Sequence, residues 1–227
     1  FKVINSSGNI ANFDRVCVHD CTISSMFPLN TSTTMNNSTI GDFMFYNCAS
    51  GVNIQNTTGT NYEFQNIWGS LALAGNGISI GDIGGTYSGT IANYACAAGT
   101  GITVVESSGI QTKPWGDFDV RGNSGTGINF SQGRYGTIGT VTALRNGSVG
   151  AIINAGVFDL DCEAMYLVGN TGDNLNIVSG SQNLIIRGGY MNGDTTFATT
   201  NGVRIATVGP MSNLKFENME FSTVTGI

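Results

Sequence analysis

Charge is scarce in this chain. Only 11% of its 227 residues are Asp, Glu, Lys or Arg, and 15 acidic residues outnumber 9 basic ones for a formal net charge of −6. Nucleic acid and anionic membranes both require clustered positive charge, so neither is an expected partner. No apolar run nears the ~20 residues of a spanning helix, so no membrane insertion is expected. Proline is nearly absent, at 3 residues, as expected where strands are paired on both sides and each needs its ladder donor. No stretch keeps a 3.6-residue apolar period for three turns, which argues against a helical fold. The single histidine, His19, has no serine or cysteine at a spacing that suggests a triad, and reads as a surface or corner residue. Cys17, Cys21, Cys48, Cys96 and Cys162 are odd in number and form no CxxC pair, which argues against a disulfide framework and a zinc site. Cys48 and Cys162 read as small apolar filler. No cofactor is implied.

Glycine, by contrast, is abundant at 33 residues. The word GTGI occurs at Gly99–Ile102 and again at Gly125–Ile128. Around it recurs a glycine or asparagine followed by an aliphatic-polar-apolar triplet. The anchors are Gly51, Gly77, Gly101, Gly127, Gly150, Asn174, Gly202 and Gly226, with intervals of 23 to 28 residues by subtraction. A period in this range marks a repeat architecture, in which one unit cannot bury its apolar face alone. Each unit has a second short alternating run before its anchor, such as Phe45-Tyr-Asn-Cys, Val120-Arg-Gly-Asn, Leu144-Arg-Asn-Gly or Ile186-Arg-Gly-Gly. Period-two alternation marks half-buried strands, and the intervening Gly, Asn, Ser and Thr suit corners.

The expectation is an all-β, single-stranded right-handed parallel β-helix with coils of about 24 residues. Right-handedness rests on the general preference of parallel crossovers. Eight or nine coils at ~4.8 Å each give a rod of about 40 Å. Residues 1–227 form one domain, read as a fragment of a longer chain that a cap or neighbouring domain continues. Loop excursions are expected at 27–40, "FPLNTSTTMNNSTI", and at 188–201, "GGYMNGDTTFATTN".

Irregular coils, Asn/Gly corners and the line "NLIIRGGYMNG…NGVRIATVGPMSNLKFENMEF" resemble the pectate-lyase-like right-handed β-helix superfamily. Within it the chain is most similar to the body of bacteriophage tailspikes and tail fibres. The resemblance covers nearly the whole chain, in texture and period rather than in a motif. It implies a homotrimer in an extracellular virion tail, next to other virion or tail domains, that binds and often depolymerises bacterial surface polysaccharide. Two other classes remain: a non-enzymatic structural or adhesion β-helix, and a secreted polysaccharide lyase or hydrolase. The lyase set of calcium-binding Asp with catalytic Arg or Lys is not recognisable. Asn170-Thr-Gly-Asp173 only approximates the polygalacturonase Asn-Thr-Asp, no Asp-Asp pair exists, and His19 is followed by Asp20. Fold alone establishes no activity.

Glycoside hydrolysis uses two carboxyl groups, and the densest candidate is "VFDLDCE". With Phe158, Leu160 and Cys162 inward, Asp159, Asp161 and Glu163 share the outward face. Like-charge crowding there makes an acid beside a base, the catalytic reading. Aligned corners place Asp161 in a column with Arg121, Arg145, Arg187 and Glu217, and Asp159 with Asp119 and Lys215. That pattern supports the other reading, a salt-bridge ladder. A calcium ion on the three carboxylates is a lesser alternative, and no metal site is assigned. Candidate sugar contacts are Trp115, Asp117 and Asp119 in "PWGDFD", Tyr135 one coil on, and Arg145 and Arg187, because a flat aromatic face stacks on a sugar ring while polar groups bond its hydroxyls. Trp68 is a further exposed-looking aromatic.

Overall fold

A computed structural model of the chain describes residues 12–21, 39–49, 51–56, 62–70, 76–82, 85–96, 99–105, 115–193, 201–206 and 209–222. Every regular element among them is a strand. The first six are β1 (Asn12–His19), β2 (Thr39–Tyr46), β3 (Val52–Asn56), β4 (Tyr62–Ser70), β5 (Ile78–Asp82) and β6 (Gly85–Tyr94). Then come β7 (Ile102–Val105), β8 (Trp115–Arg121), β9 (Ile128–Phe130), β10 (Gly133–Leu144), β11 (Ala151–Ile153) and β12 (Val157–Val168). The last are β13 (Leu175–Val178), β14 (Gln182–Ile186), β15 (Gly189–Asn192), β16 (Val203–Ala206), β17 (Ser212–Phe216) and β18 (Met219–Ser222).

The strands stack in parallel as a β-solenoid of about six turns. The count of eight or nine drew also on residues outside those described. Much of the 27–40 excursion lies outside them too, and Thr39 and Ile40 belong to β2. The 188–201 excursion begins with a strand, β15, which pairs with β12.

The anchor triplets make one sheet, in the order β16-β13-β11-β9-β7-β5-β3. Its register stacks Ile78, Ile102, Ile128, Ala151 and Leu175 in one column. Ile80, Val104, Phe130, Ile153 and Ile177 stack in the next. All ten side chains are buried, and a fully buried aliphatic side chain stabilises by about 1.5–3 kcal/mol. Like residues stack on like because each coil's neighbour along the rod is the next repeat.

The anchors are glycines for a steric reason. A Cβ on Gly127 would stand 2.5 Å from the Gly150 carbonyl oxygen and 2.7 Å from Asn146 Nδ2, and one on Gly150 would stand 2.5 Å from Asn170 Nδ2. The amides they abut form a buried ladder. Asn146 Oδ1 accepts from Asn123 N (3.1 Å) and Asn123 Nδ2 (2.9 Å). Asn170 Oδ1 accepts in turn from Asn146 N (3.0 Å) and Asn146 Nδ2 (2.8 Å). The ladder also reaches Asn93, whose Nδ2 donates to Asn123 Oδ1 (2.9 Å). Main-chain donors at this bend cannot reach a strand partner, so side-chain amides satisfy them away from water.

Left-handed residues mark the bends. Ala95, Gly122, Arg145 and Gly169 have φ of 53–63° at the end of one strand row, and Asp159, Asn183 and Asn213 have φ of 52–55° at another. Each such residue breaks plain alternation. Along β12, Phe158 and Asp159 both face outward between buried Val157 and Leu160, and Glu163 and Ala164 do so between buried Cys162 and Met165. The inward placement of Phe158 is therefore corrected. Leu160 and Cys162 do face inward.

Candidate functional site

The acidic stretch of β12 is spread over two bends. Asp159 sits in the left-handed conformation at one of them. It accepts from Asn183 Nδ2 (2.7 Å) and pairs with Arg134 Nη1 (3.2 Å). Asn213 Nδ2 donates to Asn183 Oδ1 (2.8 Å), continuing an exposed column down the rod. Asp161 receives a two-pronged contact from Arg187, Nε to Oδ1 at 2.7 Å and Nη2 to Oδ2 at 2.6 Å. Arg187 also meets Glu217 at 3.1 Å, and Lys215 pairs with Glu217. The Asp161 contact above all raises the Arg187 pKa. Lys215, followed by Arg187, holds the Glu217 carboxyl below its ordinary value. Glu163 is exposed and makes no side-chain hydrogen bond or ion pair among the described residues.

The ladder is thus Asp161–Arg187–Glu217–Lys215, and the columns drawn from sequence need correction. Arg121 pairs in register with Leu144, and Leu144 with Val168. Arg145 follows Leu144 and donates its N–H to Val168 O. Asp161 lies seven positions back along β12, opposite Thr137 and Ile185. Asp119 registers with Thr142 and not with Asp159. Several kinds of bend occur in each coil, so matching polar corners merged columns that belong to different bends. Among the described residues no three His, Cys, Asp or Glu side chains converge closely enough to hold a metal, so Asp159, Asp161 and Glu163 form no calcium cluster.

Trp115 and Tyr135 point into the solenoid, with exposures of 3% and 0%. They pack with Phe118 and Phe130 at centroid distances of 5.3–6.2 Å. Tyr135 Oη donates to Val104 O (2.8 Å). They form an internal aromatic stack rather than a sugar platform, because the expected corner at Trp115 is the start of β8, whose first residue faces inward. Asp117 accepts from the backbone N–H of Thr140 (2.7 Å), bridging two coils.

The residues that do come together lie on the outward face of the larger sheet. In one register column Trp68, Ala92, Asp119, Thr142, Tyr166 and Tyr190 follow one another from coil to coil. Two positions along each strand, Tyr46, Ser70, Tyr94, Arg121, Leu144 and Val168 do the same. Tyr46, Trp68 and Tyr190 are 51%, 37% and 40% exposed, although an outward aromatic in water forfeits burial. The middle of this face holds a groove of about 500 Å³, with Ala95, Gly122, Leu144 and Val168 flanked by Tyr94, Tyr190, Arg121 and Arg145. Asp119 organises one wall, accepting from Arg121 Nε (2.7 Å) on one oxygen and from Tyr94 Oη (3.0 Å) on the other. Burial, then the Asp119 charge, raises the Tyr94 pKa, so the phenol keeps its proton. Tyr166 meets Tyr190 edge-on at 5.3 Å and supports it.

Of the candidate sugar contacts, Arg145 lines this groove and Asp119 braces it, whereas Arg187 belongs to the ladder. Tyr94, Arg121 and Tyr190 were not among them. Their one sequence signal is a large aromatic or basic residue at an outward position of the alternation. Compared with family models, curated proteins and solved structures, the chain matches none.

Proposed function

We propose that this chain is the β-helical body of a tailspike-type receptor-binding protein that holds the surface polysaccharide of a host bacterium along its side. The observation that carries the reading is the outward face itself. Tyr46, Trp68, Tyr94, Tyr166 and Tyr190 stand there on separate coils of the rod, and Tyr94 and Tyr190 border a groove with an apolar floor and two arginines in its lining. Sugar rings offer an apolar C–H face and a polar rim, so aromatic planes beside hydrogen-bonding groups suit them. A linear polymer lying across the strands would meet equivalent positions on successive coils. Assembly as a homotrimer in a virion tail, with neighbouring tail domains, belongs to the same proposal.

Recognition without cleavage is the form proposed. Hydrolysis needs two carboxyl groups placed on either side of the scissile bond. The groove lining contains none, and Asp159 and Asp161 are engaged by Arg134 and Arg187. A purely structural rod is the second reading, favoured by the Asp161–Arg187–Glu217–Lys215 ladder. The test is incubation with a panel of bacterial surface polysaccharides, following polymer length and co-elution by size-exclusion chromatography. Co-elution at unchanged length, weakened by Tyr190→Ala, is expected. Shortening would replace recognition with depolymerisation, and no co-elution with any polymer would leave the structural rod. Light scattering should give three times the chain mass, and a monomer would remove the trimer.

A further inference from the structure

The bend that carries the inner amide ladder begins in sulfur. Asp20, Asn47, Ala95, Gly122, Arg145 and Gly169 are all left-handed, with φ of 50–63°. The residues that follow them are Cys21, Cys48, Cys96, Asn123, Asn146 and Asn170. These six share one column. Ala49 N donates to Cys21 O (2.8 Å) just as Ser124 N does to Cys96 O, Gly147 N to Asn123 O and Thr171 N to Asn146 O. We infer that Cys21 and Cys48, adjacent in this column, are a modification site that an oxidant closes into a disulfide, stapling the first two described coils together.

A place in this column brings side chains of neighbouring coils together. Asn123, Asn146 and Asn170 each extend Nδ2 to the carbonyl three residues before their column neighbour, at Asn93, Val120 and Ala143 (3.0–3.4 Å). Cys48 Sγ makes the same reach, to Val18 O at 3.9 Å, three residues before Cys21. Each sulfur also lies against the carbonyl two residues before it, Cys21 on His19 O (3.5 Å) and Cys48 on Tyr46 O (3.4 Å). His19 and Tyr46 are register partners, so the two side chains leave equivalent backbone in the same direction. Parallel neighbours in register stand ~4.8 Å apart, within the roughly 4.4–6.8 Å that a disulfide spans between Cα atoms.

The remaining cysteines are placed differently. Tyr46 registers with Ser70 and Ser70 with Tyr94, so Cys96 lies two coils from Cys48. That is ~9.6 Å, beyond the roughly 7 Å at which bridging fails. Cys17 registers with Met44 on the strand before the bend, and Cys162 with Ile138 and Ile186. Five cysteines thus make no framework, yet they contain one pair.

Cys48 is wholly buried and Cys21 half-buried, so Cys21 meets the oxidant first. With a small disulfide as oxidant, the Cys21 thiolate attacks one of its sulfurs, and the oxidant's S–S bond breaks to release one small thiol. The Cys48 thiolate then attacks Cys21 Sγ in the mixed disulfide and expels the second. Two cysteines lose two electrons and two protons, and the two released thiols carry both. Desolvation, then the side-chain contact with Cys48, holds the Cys21 thiol above its ordinary value of 9.0, so exchange needs alkaline conditions to run fast. Outside a cell the closed form persists, whereas a reducing interior keeps it open.

The experiment treats the full, reduced chain with oxidised glutathione at pH 9, blocks free thiols with iodoacetamide in urea, and maps peptides without reduction. Cleavage at aromatic residues and before Asp20 puts Cys17, Cys21, Cys48 and Cys96 in separate peptides. The expected product joins the Cys21 and Cys48 peptides in most of the chain. Its urea midpoint should exceed that of the reduced form by on the order of 1 M, because the bond closes a loop of 27 residues (48 − 21) in the unfolded state. Cys48→Ala should lose both the link and the shift, with Cys21→Ser as a second variant if Cys48→Ala does not fold, and Cys17→Ser should keep both. Recovery of Cys21 and Cys48 only as alkylated residues or as separate glutathione adducts overturns the inference. So does a mixture of links matching that of the chain oxidised while unfolded in urea, which shows pairing without guidance from the fold. A linked chain no more resistant to urea than the reduced one overturns the staple.

Discussion

Replacing Asn146 by alanine tests the inner amide ladder at its centre. Asn146 is wholly buried. Its Oδ1 accepts from Asn123 N and Nδ2, and its Nδ2 donates to Asn170 Oδ1 and, at 3.4 Å, to Val120 O. Truncation takes the acceptor from two buried donors, and each such loss costs about 1–3 kcal/mol. Asn170 Oδ1 keeps the backbone N–H of residue 146, and the Val120 contact is too long to count. The expected loss is therefore about 2–5 kcal/mol, and Asn146→Leu should not recover it because the orphaned donors remain. Asn183→Gly is the control. It removes the amide of an exposed column and keeps a residue that tolerates φ of 55°, so a change within about 0.5 kcal/mol is expected. Urea unfolding followed by circular dichroism measures both. An Asn146→Ala variant within 1 kcal/mol of the parent, on the scale of an ordinary surface change, would refute the claim that the ladder satisfies otherwise stranded donors.

The carboxyl of Glu217 is held below its ordinary value of 4.5 by Lys215 and then Arg187. Its contribution to stability is present above that value and lost as the pH falls through the depressed folded one. Glu217→Gln should therefore melt below the parent at pH 6, with the gap closing at more acid pH, and a gap independent of pH would refute it. Burial raises the Cys162 thiol to about 12, so at pH 8 Ellman's reagent should reach exposed Cys17 and modify Cys162 only after denaturation. Fast labelling of Cys162, read by peptide mass, would contradict its inward placement. Gly127→Ala should lower the urea midpoint sharply because its Cβ meets the Gly150 carbonyl, whereas Gly122→Ala meets no atom and pays only for its φ of 63°, a cost of roughly 1–2 kcal/mol. Equal losses would show that the anchors are not required by space.

The anchor triplets could be read from the sequence because stacking converts a spatial repeat into a sequence interval. Ile78, Ile102 and Ile128 touch because they are one coil apart, so one column of core appears as one recurring letter. The glycine before each triplet was legible for the same reason, though its cause was not. That cause is the neighbouring Asn123–Asn146–Asn170 column, which a search for strands treats as corner residues.

The outward columns obeyed a different rule. A left-handed residue such as Asp159 shifts alternation by one, so everything beyond it changes face. Nothing in the local pattern separates Asp159 from Asp161, yet the first is a bend and the second a rung of the Arg187 ladder. Trp115 and Tyr135 went inward to pack with Phe118 and Phe130, a demand set by the packing of the interior and not by their neighbours in sequence. Likewise Tyr94, Arg121, Arg145 and Tyr190 lie in four separate repeats, and all but Arg145 read from sequence as ordinary surface residues. The sequence alone determined that the chain coils, with what period, and which triplets line the core. Tertiary structure decided which polar side chains meet, because that depends on the summed turn of every bend between them.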